Sequence, residues 1–302
     1  MYLSMVVFEE CLAEYHPRMI GHSDLVKIKF MGVQEAMEGQ EYLPDHMLLE
    51  HVEYFVSHPV PAAWGCLCIG EPPEDLFKNN ICLIFPENTD RTSLYHDVQK
   101  IFFLYNSWEM EIRKAMQRNA TLEEMCNLCI PIFEKPIFIH DRNNELLAIA
   151  NEMAGQFSWQ YDETFDKYYL PLEILNTFKS SDEYHKTLHT YGAHVFSAKA
   201  TGYRTLYVNL RIEWVYVGRV CLDEIGTPIR KRDYELLEFF ADNIALAMQQ
   251  GMLLVSDASN VLSILFKGMI DGKSYTKNQL ANPFGYYNWH IDDMFQCITI
   301  FC

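Results

Sequence analysis

The chain has 302 residues, of which 49% are hydrophobic, 14% aromatic and 22% charged, enough apolar material for two or three packed domains and too little charge for a disordered chain. Lys and Arg number 24 against 41 Asp and Glu, a formal charge of −17. A surface of that sign repels nucleic acid and anionic lipid unless a basic patch intervenes, and the densest one, Arg230-Lys231-Arg232, opens a helix instead of forming a stripe.

Nine Cys is an odd number, and the start at Met1–Glu10 has neither a basic n-region nor a small-residue cleavage site. No apolar run reaches the ~18 residues of a membrane span. The expectation is a cytoplasmic chain with free thiols and no membrane segment.

In the first ninety-odd residues, Leu48, Leu49, Val52, Phe55 and Val56 recur at helical spacing, predicting a helix over Asp45–Val56. Trp64–Ile69 and Ile81–Phe85 are short apolar runs bounded by Gly or Pro, which read as buried strands of a small α/β domain. Ser93–Arg118 then carries Leu94, Val98, Ile101, Phe102, Tyr105, Trp108, Met110 and Ile112 at three- and four-residue steps with no Pro or Gly, a long amphipathic helix with Ser93 as its cap. Thr121-Leu-Glu-Glu124 is a capping box that opens a second helix running through Cys126 and Cys129.

Pro136–Asp141 and Glu145–Ala150 read as a hairpin joined by Arg142-Asn143-Asn144. Asn151–Gly192 is irregular apart from a helix over Pro171–Lys179. Three strands follow, Ala193–Ala198, Tyr203–Arg211 and Trp214–Leu222. In the second of them Leu206, Val208 and Leu210 alternate with Tyr207, Asn209 and Arg211, the pattern of a strand with one wet face. A long helix starts at Thr227-Pro228, with Leu236, Leu237, Phe240, Ile244, Ala247, Met248 and Leu254 on its stripe. This order describes one antiparallel sheet flanked by helices, an α+β sandwich.

No pattern of catalysis stands out. There is no G-x-S-x-G, no glycine-rich phosphate loop and no paired-His metalloprotease motif, so no enzymatic activity and no cofactor is expected. Cys126 and Cys129 form a C-x-x-C without a second pair, which fits two core residues one helical turn apart. Cys66, Cys68 and Cys82 read as buried free thiols. His185 and His189 have the i, i+4 spacing of a metal pair but lack the intervening Glu, so no metal is expected there. Asp162, Glu163 and Asp166 read as a solvated acidic face.

Val215-Tyr-Val-Gly-Arg-Val-Cys-Leu222, followed by Pro228, Asp233 and Leu236–Ala245, resembles the closing strand and final helix of GAF-like domains, and Pro136–Ala150 resembles the opening hairpin of GAF and PAS domains. Leu265-Phe-Lys-Gly268, Leu280, Phe284-Gly-Tyr286 and Phe295–Ile300 resemble the domain that follows the sensor in PucR/CdaR-type transcription regulators. The resemblance implies four regions. They are a small α/β domain (1–92), a connecting and dimerisation helix (93–120), a GAF-like sensor (121–255), and a linker helix with the start of a truncated GGDEF-like domain (256–302). It implies a small-molecule effector, a homodimer through helices 93–118 and 230–255, and DNA contact only through a missing carboxy-terminal helix-turn-helix. In GAF-like domains the ligand lies between the sheet and the variable segment. That places Trp159, Tyr168, Tyr169, His185, Tyr191, Phe196, Arg204 and Tyr216 as candidate pocket residues, with Arg204 offered to a carboxylate or phosphate. Alternatively these aromatics fill the core and Arg204 points to solvent, leaving a dimerisation or interaction module without a ligand.

Overall fold

A computed structural model describes residues 1–21, 25–212, 214–249, 265–270, 272–276 and 279–280. The chain divides into two compact units, the first formed by residues 1–114 with 230–232, the second by 115–229 with 233–302. The expected linker helix and GGDEF-like start fall mostly outside the described residues, as does Leu254.

The first unit begins with β1 (Leu3–Ser4), α1 (Met5–Cys11), β2 (Arg18–Ile20), β3 (Lys29–Phe30) and β4 (Gly32–Glu35). It continues with β5 (His46–His51), α2 (Val52–Ser57), β6 (Gly65–Ile69), β7 (Ile81–Phe85) and α3 (Arg91–Gln117). β1 pairs with β3 in a short ribbon. The main sheet has the order β2-β7-β6-β5-β4, parallel from β4 to β7, with β2 antiparallel at the edge. Every residue of β6 and β7 is buried, because a parallel strand covered on both faces has no wet side.

The same logic corrects the helix expected over Asp45–Val56. Met47, Leu48 and Leu49 are all fully buried in the inner strand β5, and only Val52–Ser57 is helical. In α3 the expected cap is displaced by one turn: Asp90 accepts the Ser93 N–H at 2.8 Å. Met110 lies on its exposed side, not on the buried stripe.

The second unit contains α4 (Leu122–Asn127), α5 (Ile130–Phe133), β8 (Ile137–Asp141), β9 (Leu146–Ala150), β10 (Gln160–Asp162) and β11 (Lys167–Tyr169). There follow α6 (Leu172–Lys179), α7 (Asp182–Thr187), β12 (Ala193–Phe196), β13 (Thr205–Ile212), β14 (Val215–Asp223) and α8 (Lys231–Gln249). The capping box forms as read: Glu124 N–H donates to Thr121 Oγ1 at 3.1 Å, and Thr121 N–H donates to Glu124 Oε2 at 2.9 Å.

Five strands make one antiparallel sheet in the order β12-β13-β14-β8-β9. The unit is thus an α+β domain, one antiparallel sheet flanked by helices, in which the last strand sits beside the first. Asn144 takes the positive φ of 64° in the β8–β9 turn. On one face Leu206, Val208, Leu210, Val220 and Leu222 are buried. α8 lies along that face, its Glu238 accepting the Ala193 N–H at 2.8 Å. Its stripe Leu236, Leu237, Phe240, Ile244, Ala247 and Met248 is buried as well. At the start of α8 the buried ammonium of Lys135 meets the buried carboxylate of Asp233 at 2.9 Å.

The other face is not wet. Tyr207 is only 2% exposed, and Asn209 and Arg211 are half-buried, because residues 151–192 fold back over the strands as β10, β11, α6 and α7. Polar side chains that look solvated in the strand pattern are enclosed.

Candidate functional site

The covered face of the sheet is built by alternation. Side chains of one parity on neighbouring strands share a side, so the register fixes which of them meet. Asn209 pairs with Arg219 and Tyr207 with Cys221 across β13–β14. Arg219 pairs with His140 and Cys221 with Phe138 across β14–β8. Gly218 lets β14 approach β8 here, since a Cβ at that position would stand 2.4 Å from the carbonyl oxygen of His140.

Above this row sits a small chamber of about 40 Å³. Its floor is Phe138, His140, Tyr207, Arg219 and Cys221, and its roof comes from Phe157, Phe178 and Tyr184. Phe178 and Tyr184 stack face to face at 4.5 Å and 3°. Phe196 meets Phe178 edge-on at 5.4 Å. Trp159 borders the same cluster, edge-on to Phe138 at 5.4 Å, and its indole Nε1 is buried without a hydrogen-bond partner. Such a space holds about one or two water molecules.

The polar groups of the floor have defined roles. Arg219 donates from Nε to Asn209 Oδ1 at 2.9 Å and from Nη2 to Thr187 Oγ1 at 2.8 Å, with its plane 4.3 Å from the Tyr207 ring centre. His140 is held neutral. Burial, and then the neighbouring Arg219 guanidinium, push its pKa down to about 3. Its Nδ1–H donates to the Asp141 carbonyl at 2.8 Å, which leaves Nε2 as an acceptor. Burial pushes the Cys221 thiol up, so it is an uncharged wall group.

At the end of α7 the sheet's amides and guanidinia satisfy carbonyls the helix leaves open. Asn209 Nδ2 donates to Thr187 O at 2.7 Å and Thr190 O at 3.1 Å, and Arg211 Nη2 to Leu188 O at 2.6 Å.

Of the eight sequence candidates, the structure brings Phe196 into the chamber wall and Trp159 to its border. Tyr168 is exposed on the β10–β11 ribbon, its ring 5.1 Å from that of Tyr161. Tyr169 packs instead with Phe165 and Leu265. His185 is exposed, with Nε2 3.1 Å from the Lys179 carbonyl, and α7 ends before His189, so the two do not form a helical pair. Tyr191 is 66% exposed under the Arg211 guanidinium. Arg204 lies at the surface in a two-pronged pair with Glu224, so the charge once offered to a ligand already has a partner. Tyr216 opposes Arg211 on β14 and does not line the chamber.

The charged residue that does line it, Arg219, is one the sequence reading passed over. The available signal was a cation inside an otherwise apolar strand, Val215–Leu222. Among the described residues no group of three His, Cys, Asp or Glu side chains is placed to hold a metal ion.

No protein-family model matches the chain, and no curated protein matches it. Solved structures similar to it include the cofactor-binding GAF domain of the nutrient sensor CodY from Clostridium difficile. That similarity has 12% identity and a TM-score of 0.34, over 48% of this chain and 97% of that one. The phycoerythrobilin-bound GAF domain of a cyanobacterial phytochrome is similar at 9% identity and a TM-score of 0.36, over 48% and 94%. A phycocyanobilin-bound GAF domain from a cyanobacterial phytochrome stands at 10% and 0.34, over 48% and 93%. Among the described residues no helix is long and apolar enough to cross a membrane.

Proposed function

We propose that the chain is the sensory and dimerisation region of a transcription regulator of the PucR/CdaR type. Its second unit binds a small metabolite without transforming it. One observation carries the reading: an aromatic-walled chamber between the GAF-like sheet and α6–α7, with a guanidinium in its floor. Ligand sites of this kind are mostly apolar with a few fixed polar groups. A ligand that prefers the open arrangement of α6–α7 would shift the population between two states. DNA contact would belong to a separate helix-turn-helix domain.

The test is a thermal-shift screen of the 302-residue chain against purines, amino acids and sugar acids. A binder raises the melting temperature by mass action. The chamber's small volume, about 40 Å³, favours one other reading, an interaction module whose pocket has closed. That reading wins if no compound stabilises the chain and a crystal structure shows the chamber unchanged.

A further inference from the structure

Among the described residues of the second unit, Arg219 is a buried cation without a carboxylate partner. Arg219 is 4% exposed, and its partners Asn209, Thr187 and the rings of Tyr207 and Tyr184 are all neutral. The buried carboxylates nearby are committed elsewhere. Asp141 accepts the Asn143 and Glu145 N–H groups, each at 2.8 Å. Asp223 accepts from Thr205 at 2.7 Å and Gln156 at 2.9 Å. Asp233 holds Lys135, and Glu145 holds Lys167. Among the described residues no carboxylate lies within ion-pair distance of Arg219, whose hydrogen bonds run from Nε and Nη2 to neutral oxygens. A buried cation with neutral partners is costly in isolation. It is also what a site for an anion requires.

We propose that the chamber takes a small monocarboxylate with an apolar body, and that the bound acid competes with Thr187 for Arg219 and so loosens the end of α7. The inference rests on reading the second unit as a ligand-binding module. Charge count selects the ligand class. His140 is neutral beside Arg219, so the floor holds one positive charge. One carboxylate cancels it, whereas a phosphate dianion would leave a buried negative charge. The aromatic wall of Phe138, Phe157, Phe178 and Phe196 selects an apolar body.

Size supplies the coupling. About 40 Å³ is too small for such an acid, so the Phe178–Tyr184 roof must move to admit it. The last turn of that roof is tied down at Thr187 by Arg219 itself. One guanidinium therefore serves both as the latch of the closed state and as the anchor of the ligand, which links occupancy to the position of α7.

Matched probes test this on the full chain. Thermal shift is recorded with phenylacetate, phenylacetamide and phenyl phosphate, and with isovalerate and isovaleramide. The acids raise the melting temperature, and the amides and the phosphate ester do not. Arg219→Met weakens acid binding by about 10- to 100-fold, the loss of one charge-assisted pair. Arg219→Lys, which keeps the charge, retains the order of acid over amide. Hydrogen exchange at Leu188–Thr190 quickens with acid bound. Amides equal to acids, acid binding undiminished in Arg219→Met, or a wider screen yielding only neutral binders overturns the carboxylate assignment and leaves the ligand-binding reading standing. Unchanged or slowed exchange overturns the latch. If neither these probes nor the wider screen stabilise the chain, both readings fall.

Discussion

At the residue scale, the enclosed floor of the second unit sets opposite proton preferences side by side. His140 is held down at about 3, while burial pushes Asp141 and Asp223 up to about 6 each. The signs differ. A histidine whose folded pKa is depressed adds stability that is complete above its unfolded value, about 6.5, and is lost as pH falls toward 3. An aspartate whose folded pKa is raised adds stability present below about 3.9 and lost as pH rises through 6. Between pH 4 and 6 the two aspartates therefore oppose the histidine. Substituting His140→Gln isolates its share. Between pH 7 and pH 5 the wild-type chain should lose about 2 kcal/mol more than the variant in urea unfolding. Parallel curves for the two proteins would mean that the imidazole titrates normally.

At the element scale, β14 decides the geometry of the site. Arg219 stands opposite His140 across the β14–β8 pair, where Gly218 lets the strand run close to β8. In Gly218→Ala the added methyl meets backbone, not the end of a flexible side chain, so β14 must shift. Overpacking of that sort costs about 1–3 kcal/mol. Chemical unfolding of Gly218→Ala should give a loss in that range, and a loss near zero would mean the sheet yields without strain.

The legibility of each element follows from the range of the forces that shape it. The α8-facing residues Leu206, Val208 and Leu210 were readable because burial against a helix imprints period two. The opposite face was misread as wet, because what covers it comes from residues far along the chain. β5 was misread as a helix because the continuous apolar run Met47–Leu49, buried on both faces, runs straight into the helical Val52 and Phe55, and periodicity alone does not separate a short buried strand from a helix. Phe196 was found as an aromatic beside a variable segment. Arg219 stood out only as a cation in an apolar strand, and its partners follow from cross-strand register with Asn209 and His140, which lies beyond local pattern.

At the scale of the whole molecule, each unit has its own sheet, and the long helices carry apolar side chains that neither sheet buries. On α3, Phe103 is 75% exposed, and Met110, seven residues on, is exposed on the same stripe. On α8, Leu246 is exposed while its neighbours Ala247 and Met248 are buried. Monomers seldom leave an apolar stripe of this kind in water, because covering it removes unfavourable hydration. The dimer reading therefore makes a direct prediction. The chain should sediment as a dimer at micromolar concentration, and Phe103→Glu with Met110→Glu should convert it to a monomer. The two charges fall on exposed sites, so the melting temperature of the monomer should stay within the small range of surface substitutions, about 0.5 kcal/mol of stability. Sedimentation of the wild-type chain at the mass of one copy would remove helix pairing from the account.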